Sequence, residues 1–329
     1  MTTQAILNTV LESALVDLRL PASRTLQAFN ARNITKAAYK TRLSWVVLLG
    51  GAVAAIEPVT ADGALTALDT STIAAIDMGQ FKIKHRFKIS RIAIQEALSS
   101  NIPNELQNIL SAQIMSGLRV IGDTINNLIY EGDGTAADGG IIGLNSINAA
   151  TTYGGVATTD VPQWTTNKLT NATPRALSRD LLYRVDESVS LKGLSYDLIL
   201  SSPTTARSYI NLFDSLVGGA NLNPNRVDVG QNVTRFYNGI PIIEDPRCPV
   251  GTMYFVNSSD LDLFGFVLST GSLGYTPDVS IVSRSLQGLP VFISEVYTQN
   301  PIIREYEILT LPMIRYSTPS ALTVLDQLS

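Results

Sequence analysis

The clearest pattern in the chain is a set of apolar positions spaced by three and four: Leu106, Ile109, Leu110, Ile114, Leu118, Ile121, Ile125 and Leu128. That spacing gathers them on one face of a helix over residues 101–129, roughly 27 residues long and buried along one side. Ser100 and Asn101 are candidate caps, Pro103 falls in the first turn, and Glu105 there complements the helix dipole. Gly132 and Gly134 follow and, by taking positive φ, would stop it. Ahead of this helix the period drops from 3.6 to two. In QFKIKHRFKI, Phe81, Ile83, Phe87 and Ile89 point one way while Lys82, Lys84, Arg86 and Lys88 point the other.

The alternating strand closes a longer apolar, β-prone segment. Two runs, residues 45–60 and 64–92, flank Asp62-Gly63, a strong hairpin signal, so residues 45–95 read as an extended β-hairpin. A two-stranded ribbon is marginal in water unless something covers a face. Its outgoing part carries Glu57, Asp62, Asp69 and Asp77 with no Lys or Arg, and its base carries Lys82, Lys84, Arg86 and Lys88. An acidic tip and a basic base on identical copies are complementary to one another. These eight charged residues, with Trp45 at the start of the ribbon, are the candidate intersubunit contacts. A solvated strand face is the alternative meaning of the same charges.

Residues 1–44 form an arm: Ile6, Val10, Leu11 and Leu15 make a thin helical stripe, Pro21 interrupts it, and a polar stretch follows. After residue 150 the pattern is mixed. Thr173-Pro174 opens a helix through Leu177, Leu181, Val185 and Val189, closed by Lys192-Gly193. A strand over 196–201 follows, and Ser202-Pro203 opens another helix through Ala206, Ile210 and Phe213. Residues 217–232 read as a loop. Beyond them come short strands at 234–243, 253–257, 261–269, 279–283, 291–298 and 302–311, expected to share a sheet with the long helix. The end of the chain reads as a closing strand or a short packed tail. The fold class is α+β.

Composition narrows the function. Charged residues are 16% of the chain, well under the ordinary share, so less surface than usual is committed to water. A net charge of −4 argues against wrapping nucleic acid, which needs a surplus of Lys and Arg. Cys248 is the only cysteine, so no intrachain disulfide forms. The longest apolar run, residues 45–56, falls short of the roughly 20 residues that cross a bilayer, and no membrane partner is expected.

Catalytic readings find little support. The glycine-rich stretch over 130–144 follows a helix instead of preceding one, holds no Lys, and contains Glu131, Asp133 and Asp138, which repel an anion. His85 is the only histidine, which removes a His-based metal cluster, and no Gly-x-Ser-x-Gly elbow exists. Adjacent carboxylates, Asp260 with Asp262 and Asp186 with Glu187, keep open a soluble carboxylate-dependent enzyme. The expectation is a non-enzyme with no catalytic residue, cofactor or metal.

The order of parts then carries a resemblance. A polar arm, a long apolar hairpin, a long helix ended by YEGDG, the segment GIIGLNSI at 140–147, a lobe containing DLILSSPTTARSY, and GIPIIEDPRCPVGTMYFVNSSDLDLF together resemble the major capsid proteins of tailed bacteriophages, of the Hong Kong 97 type fold. The resemblance implies an N-terminal arm (1–44), an extended loop (45–95), a peripheral domain with the spine helix (96–150 and 258–318), an axial domain (151–257) and a C-terminal tail (319–329). It further implies homo-pentamers and homo-hexamers closing into an icosahedral shell around double-stranded DNA. DNA would be met by weak non-specific contact, with a portal and separate scaffolding or decoration proteins as further partners. The expected location is the virion capsid, assembled in the host bacterial cytoplasm. An encapsulin, a compartment shell of the same fold, is the nearest alternative. Residues 43–81 contain no Lys, so the covalent joining through a loop Lys that some members use is not expected here.

Overall fold

A computed structural model describes residues 24–38, 43–48, 73–78, 82–90, 105–134, 141–149, 152–153, 156–157, 164–214, 226–229, 232–267, 282–296 and 303–328. Five α-helices occur among them: α1 (Arg24–Ala31), α2 (Glu105–Glu131), α3 (Leu144–Ala149), α4 (Arg179–Leu191) and α5 (Pro203–Asp214). The first strands are β1 (Thr35–Ala38), β2 (Leu43–Leu48), β3 (Ile73–Met78), β4 (Ile83–Ser90), β5 (Thr152–Tyr153), β6 (Val156–Ala157), β7 (Asn167–Leu169), β8 (Leu198–Ser201) and β9 (Arg226–Val229). Then come β10 (Asn232–Tyr237), β11 (Ile240–Glu244), β12 (Met253–Val256), β13 (Leu261–Phe266), β14 (Val282–Leu286), β15 (Leu289–Val296), β16 (Ile303–Thr310), β17 (Pro312–Tyr316) and β18 (Thr323–Leu325). None of the described helices is long and apolar enough to cross a membrane.

The long helix is present as α2, 27 residues starting at Glu105. Ile114, Leu118, Ile121, Ile125 and Leu128 of its stripe are buried. It lies on a four-stranded sheet ordered β14-β15-β16-β4. The approach is closest at Gly117, where an added Cβ would fall 2.6 Å from Ile308 Cδ1 and 2.9 Å from His85 Cδ2. Of the two glycines expected to stop the helix, Gly134 takes positive φ, at 79°, and Gly132 does not. Gly132 is required for a different reason: a Cβ there would meet the Ile141 carbonyl oxygen at 2.4 Å. The glycine-rich segment doubles back, with Gly134 N–H donating to Ile141 O and Gly143 N–H to Gly132 O.

A seven-stranded sheet, ordered β7-β18-β12-β8-β11-β10-β9, forms the second layer, with α4 and α5 packed on it. Here the sequence-based boundaries shift. α4 begins at Arg179, because Ser178 is the cap and accepts from Leu181 N–H. Thr173 and Pro174 precede it, Thr173 in a bend whose carbonyl accepts from Asn171 Nδ2. Residues 234–243, expected as one strand, split into β10 and β11 at Asn238-Gly239, where φ is 49° and 78°, the pair of left-handed residues a tight hairpin turn needs. β9 rises inside the expected loop and pairs with β10. The expected common sheet for the later strands also divides. β12 and β18 join the seven-stranded sheet, β14, β15 and β16 join β4 in the four-stranded sheet, and β13 and β17 form a three-stranded sheet with β1. The end of the chain, read as a closing strand or a short packed tail, supplies β18, an interior strand between β7 and β12.

The largest revision concerns the hairpin. β2 pairs with β3, Leu43 opposite Met78 through Leu48 opposite Ile73, but the alternating strand leaves it. β4 pairs instead with β16. Its apolar face, with Phe87 and Ile89 buried, needs cover that α2 provides and a free ribbon does not. The Asp62-Gly63 turn lies outside the described residues.

One buried carboxylate ties three of these parts together. Asp245, fully buried just after β11, accepts hydrogen bonds from Thr25 N–H (3.0 Å), Thr25 Oγ1 (2.7 Å), Asn126 Nδ2 (3.0 Å to each oxygen) and Arg247 N–H (2.9 Å). Thr25 spends its only hydroxyl proton on this carboxylate, so the Tyr130 hydroxyl 2.6 Å away must donate to Thr25. α1, α2 and the β11 exit are thereby fixed to one another. Replacing Thr25→Val removes the hydroxyl that donates to Asp245 and accepts from Tyr130, and Asp245→Asn turns an amide donor toward facing donors. The expected losses, read as urea-unfolding midpoints of the unassembled subunit, are about 1–3 kcal/mol for the first and about 2–4 kcal/mol for the second. Cys248 sits in the same turn, buried, its thiol pushed well up by burial and then by Asp245. The native protein should leave a thiol reagent such as Ellman's unreacted at pH 8, and one equivalent should react after denaturation.

Candidate intersubunit surface

The nine residues singled out from the sequence separate into three groups. Glu57, Asp62 and Asp69 lie outside the described residues. Trp45 and Asp77 lie on the paired root of the ribbon, with Asp77 opposite Ser44 and Ile76 opposite Trp45. Lys82, Lys84, Arg86 and Lys88 are exposed on or beside β4.

The structure changes the electrostatic picture of β4. Its partner β16 reads Ile-Arg-Glu-Tyr-Glu-Ile-Leu-Thr, and Glu305 and Glu307 stand directly opposite Lys88 and Arg86. Arg86 pairs with Glu307, and Lys88 reaches Glu305 at 3.3 Å. The Arg86 guanidinium is held further up by its hydrogen bond to Glu307 and by that charge. The basic face is thus partly neutralised by the chain's own sheet, which leaves Lys82 and Lys84 without an acidic partner among the described residues. Alternating acids at 305 and 307 against alternating bases at 86 and 88 were a legible cross-strand signal. Sequence reasoning missed it because β4 had been assigned to the ribbon.

Trp45 also turns out to be partly engaged within its own chain. It is half-buried against the main core, with its ring 6.4 Å from that of Tyr153. The Arg315 guanidinium carbon lies 5.8 Å from the Trp45 ring and 5.1 Å from the Phe264 ring. Arg315 in turn pairs with Asp262, whose side chain is 2% exposed, and Lys36 on β1 pairs with the same carboxylate. Asp262, weighed from sequence as half of a carboxylate pair, is therefore a buried counter-ion for two cations. The neighbouring residue Val46 is 68% exposed. The ribbon root thus offers an uncovered apolar position beside one that is fastened down.

The other chemistry-bearing candidates are absorbed into packing. His85 shares the α2-facing side of β4 with Phe87 and Ile89, at the Gly117 approach. Asp186 accepts from the Tyr237 hydroxyl (2.7 Å), Asn238 Nδ2 (3.0 Å) and the Tyr196 hydroxyl, which clamps the β10–β11 turn onto α4. Burial, then the hydrogen bond to Asp186 and its charge, pushes the Tyr237 phenol up. Among the described residues no group of three or more His, Cys, Asp or Glu is arranged to hold a metal ion.

No protein-family model and no curated protein sequence matches the chain. Solved structures do. The chain is similar over 93% of its length, and 94% of the other, to a subunit of the cyanophage A-1(L) capsid, with a TM-score of 0.76 at 18% identity. It is similar over 93% of its length, and 91% of the other, to a capsid subunit of a native GTA particle, at a TM-score of 0.55 and 13% identity. The encapsulin of the holo-SrpI complex from Synechococcus elongatus PCC 7942 matches 90% of this chain, and 85% of its own, at a TM-score of 0.55 and 13% identity. These likenesses span nearly the entire chain. The chain has the α+β fold of phage major capsid proteins, the Hong Kong 97 type, which the encapsulin shares.

Proposed function

We propose that this protein is a major capsid protein, a structural subunit whose copies assemble through pentamers and hexamers into an icosahedral shell around double-stranded phage DNA. The observation that carries the reading is the ribbon: β2 and β3 pair only with each other among the described strands, and Val46 stands 68% exposed on them. Such a ribbon gains its stability from cover, and a second copy is the cover a closed shell supplies to every subunit alike. The likeness to phage capsid subunits over 93% of the chain supports the same reading. The low share of charged residues fits a surface largely given over to neighbours.

In this reading the acid-only segment 43–81 of one copy meets the base of β4 on the next, where Lys82 and Lys84 are the cations left over from the β4–β16 ladder. Portal, scaffolding and decoration proteins are the further partners, packaged DNA is met by weak non-specific contact, and the mature location is the virion after assembly in the bacterial cytoplasm. The encapsulin likeness favours a second reading, a shell around protein cargo. The contents of the particle separate the two.

Negative-stain microscopy with sedimentation on the protein expressed alone should show shells or five- and six-fold capsomers; a lasting particle near 35.5 kDa would overturn the proposal. An absorbance ratio typical of nucleic acid in particles from infected cells favours the phage reading, and a co-purifying enzyme the compartment. Boiled denaturing gels of those particles should show a single band at subunit mass, because residues 43–81 hold no Lys for a covalent bond. Lys82→Glu/Lys84→Glu should slow assembly on the order of tenfold or more at low salt, measured by light scattering, with the difference shrinking as salt is raised. An unchanged rate at low salt would remove these two residues from the contact.

A further inference from the structure

We propose that Trp45 is a positioning residue that sets the direction in which the ribbon leaves the body, by binding within its own chain. No strand ladder joins the ribbon to the rest: β2 and β3 form a sheet of two, and every other described strand belongs to a different sheet. A ribbon attached only by its two chain ends would swing about them. Trp45 is the side chain described on this root as packing against the core.

The slot it enters is rigid on each side. One wall is Tyr153, whose hydroxyl accepts from Tyr316 N–H (2.9 Å) and whose carbonyl accepts from Trp164 Nε1–H (3.1 Å). The Tyr153 ring also stands 6.2 Å from that of Trp164, which extends the contact into a row of three aromatics. The other wall is the Arg315 guanidinium, lying against both the Trp45 and Phe264 rings. Arg315 cannot rotate away without abandoning buried Asp262, and that carboxylate is held from its other side by Lys36. A planar cation fixed edge-on by a carboxylate presents its faces to aromatic rings, an arrangement Lys does not reproduce. Residues 45 and 46 point to opposite faces of the strand. Fixing Trp45 inward therefore fixes the exposed Val46 face outward, where another subunit would meet it.

The use of this pin in assembly rests on the proposed function, but the pin itself belongs to the single chain and can be measured there. The experiment places spin labels at position 62, in the segment joining β2 to β3, and at exposed Arg207 on α5, in the full-length protein with Cys248→Ala. Distance distributions are compared for Trp45→Ala, Trp45→Phe and Arg315→Lys, with hydrogen exchange of β8 and β12 followed in parallel. Trp45→Ala and Arg315→Lys should each broaden the distribution roughly twofold, Trp45→Phe should stay near the parent, and protection of β8 and β12 should not change. An unchanged distribution in both Trp45→Ala and Arg315→Lys overturns the assignment. So does loss of protection in β8 and β12 with Trp45→Ala, since Trp45 would then be a general core residue. A parent protein that never assembles sinks the shell reading and leaves the spin-label result standing.

Discussion

The fold depends on how a buried negative charge is satisfied at Asp245. Moving a carboxylate out of water costs several kcal/mol even after relaxation, so the site persists only where donors converge on both oxygens. Here they come from three parts of the sequence: Thr25 from the N-terminal helix, Asn126 from the spine helix, and Arg247 from the turn itself. Two of these residues are held from behind. Thr25 receives the Tyr130 hydroxyl, one helical turn beyond Asn126, and the Arg247 guanidinium binds Asp123, three residues before Asn126. One face of α2 therefore presents Asp123, Asn126 and Tyr130 in sequence to a single turn, and the seven-stranded sheet is set against the spine helix by that register.

Asp262, on β13, repeats the logic with a different result. Its partners are full cations, Arg315 and Lys36, so its site is neutralised by charge where that of Asp245 relies mainly on neutral donors. The Arg315 guanidinium uses its edge for the carboxylate and its faces for Trp45 and Phe264, and so relays the fixed position of Asp262 to the root of the ribbon. In a chain with so few charges, two buried carboxylates tie together α1, α2, the three-stranded sheet and the root of the ribbon.

How much of this the sequence disclosed depended on the range of the interaction. The spine helix was legible because its stripe is a local repeat, and Ser202-Pro203 opened α5 where expected. The α4 start was misplaced at Thr173-Pro174 because a nearby Ser at 178 makes the actual capping hydrogen bond. The Asn238-Gly239 turn was an available local signal that was passed over. β4 could not be assigned from its own residues: its partner lies more than two hundred positions away, and only the matching acids at 305 and 307 identify it. Asp245 and Asp262 were ordinary acids in the sequence, since burial and the convergence of distant donors have no local signature. Of the candidate contacts, the exposure of Lys82 and Lys84 was legible, whereas the engagement of Arg86, Lys88 and Trp45 inside the chain was not.

That division bears on how a shell subunit can be specific for its neighbours with little charge. Arg86 and Lys88 spend their charge on Glu307 and Glu305, so the β4–β16 register is fixed before any neighbour arrives. On and beside β4, Lys82 and Lys84 then remain to attract an acidic segment. In the proposed shell, exposed pairs of this kind contribute little energy each, so they would steer approach and choose orientation, while the apolar ribbon would supply the area that holds subunits together. A subunit built this way can dissociate from a misplaced neighbour while the contact is still mostly electrostatic. In the proposed shell it would become committed once Val46 is covered, an order of events that would favour closed shells over irregular aggregates.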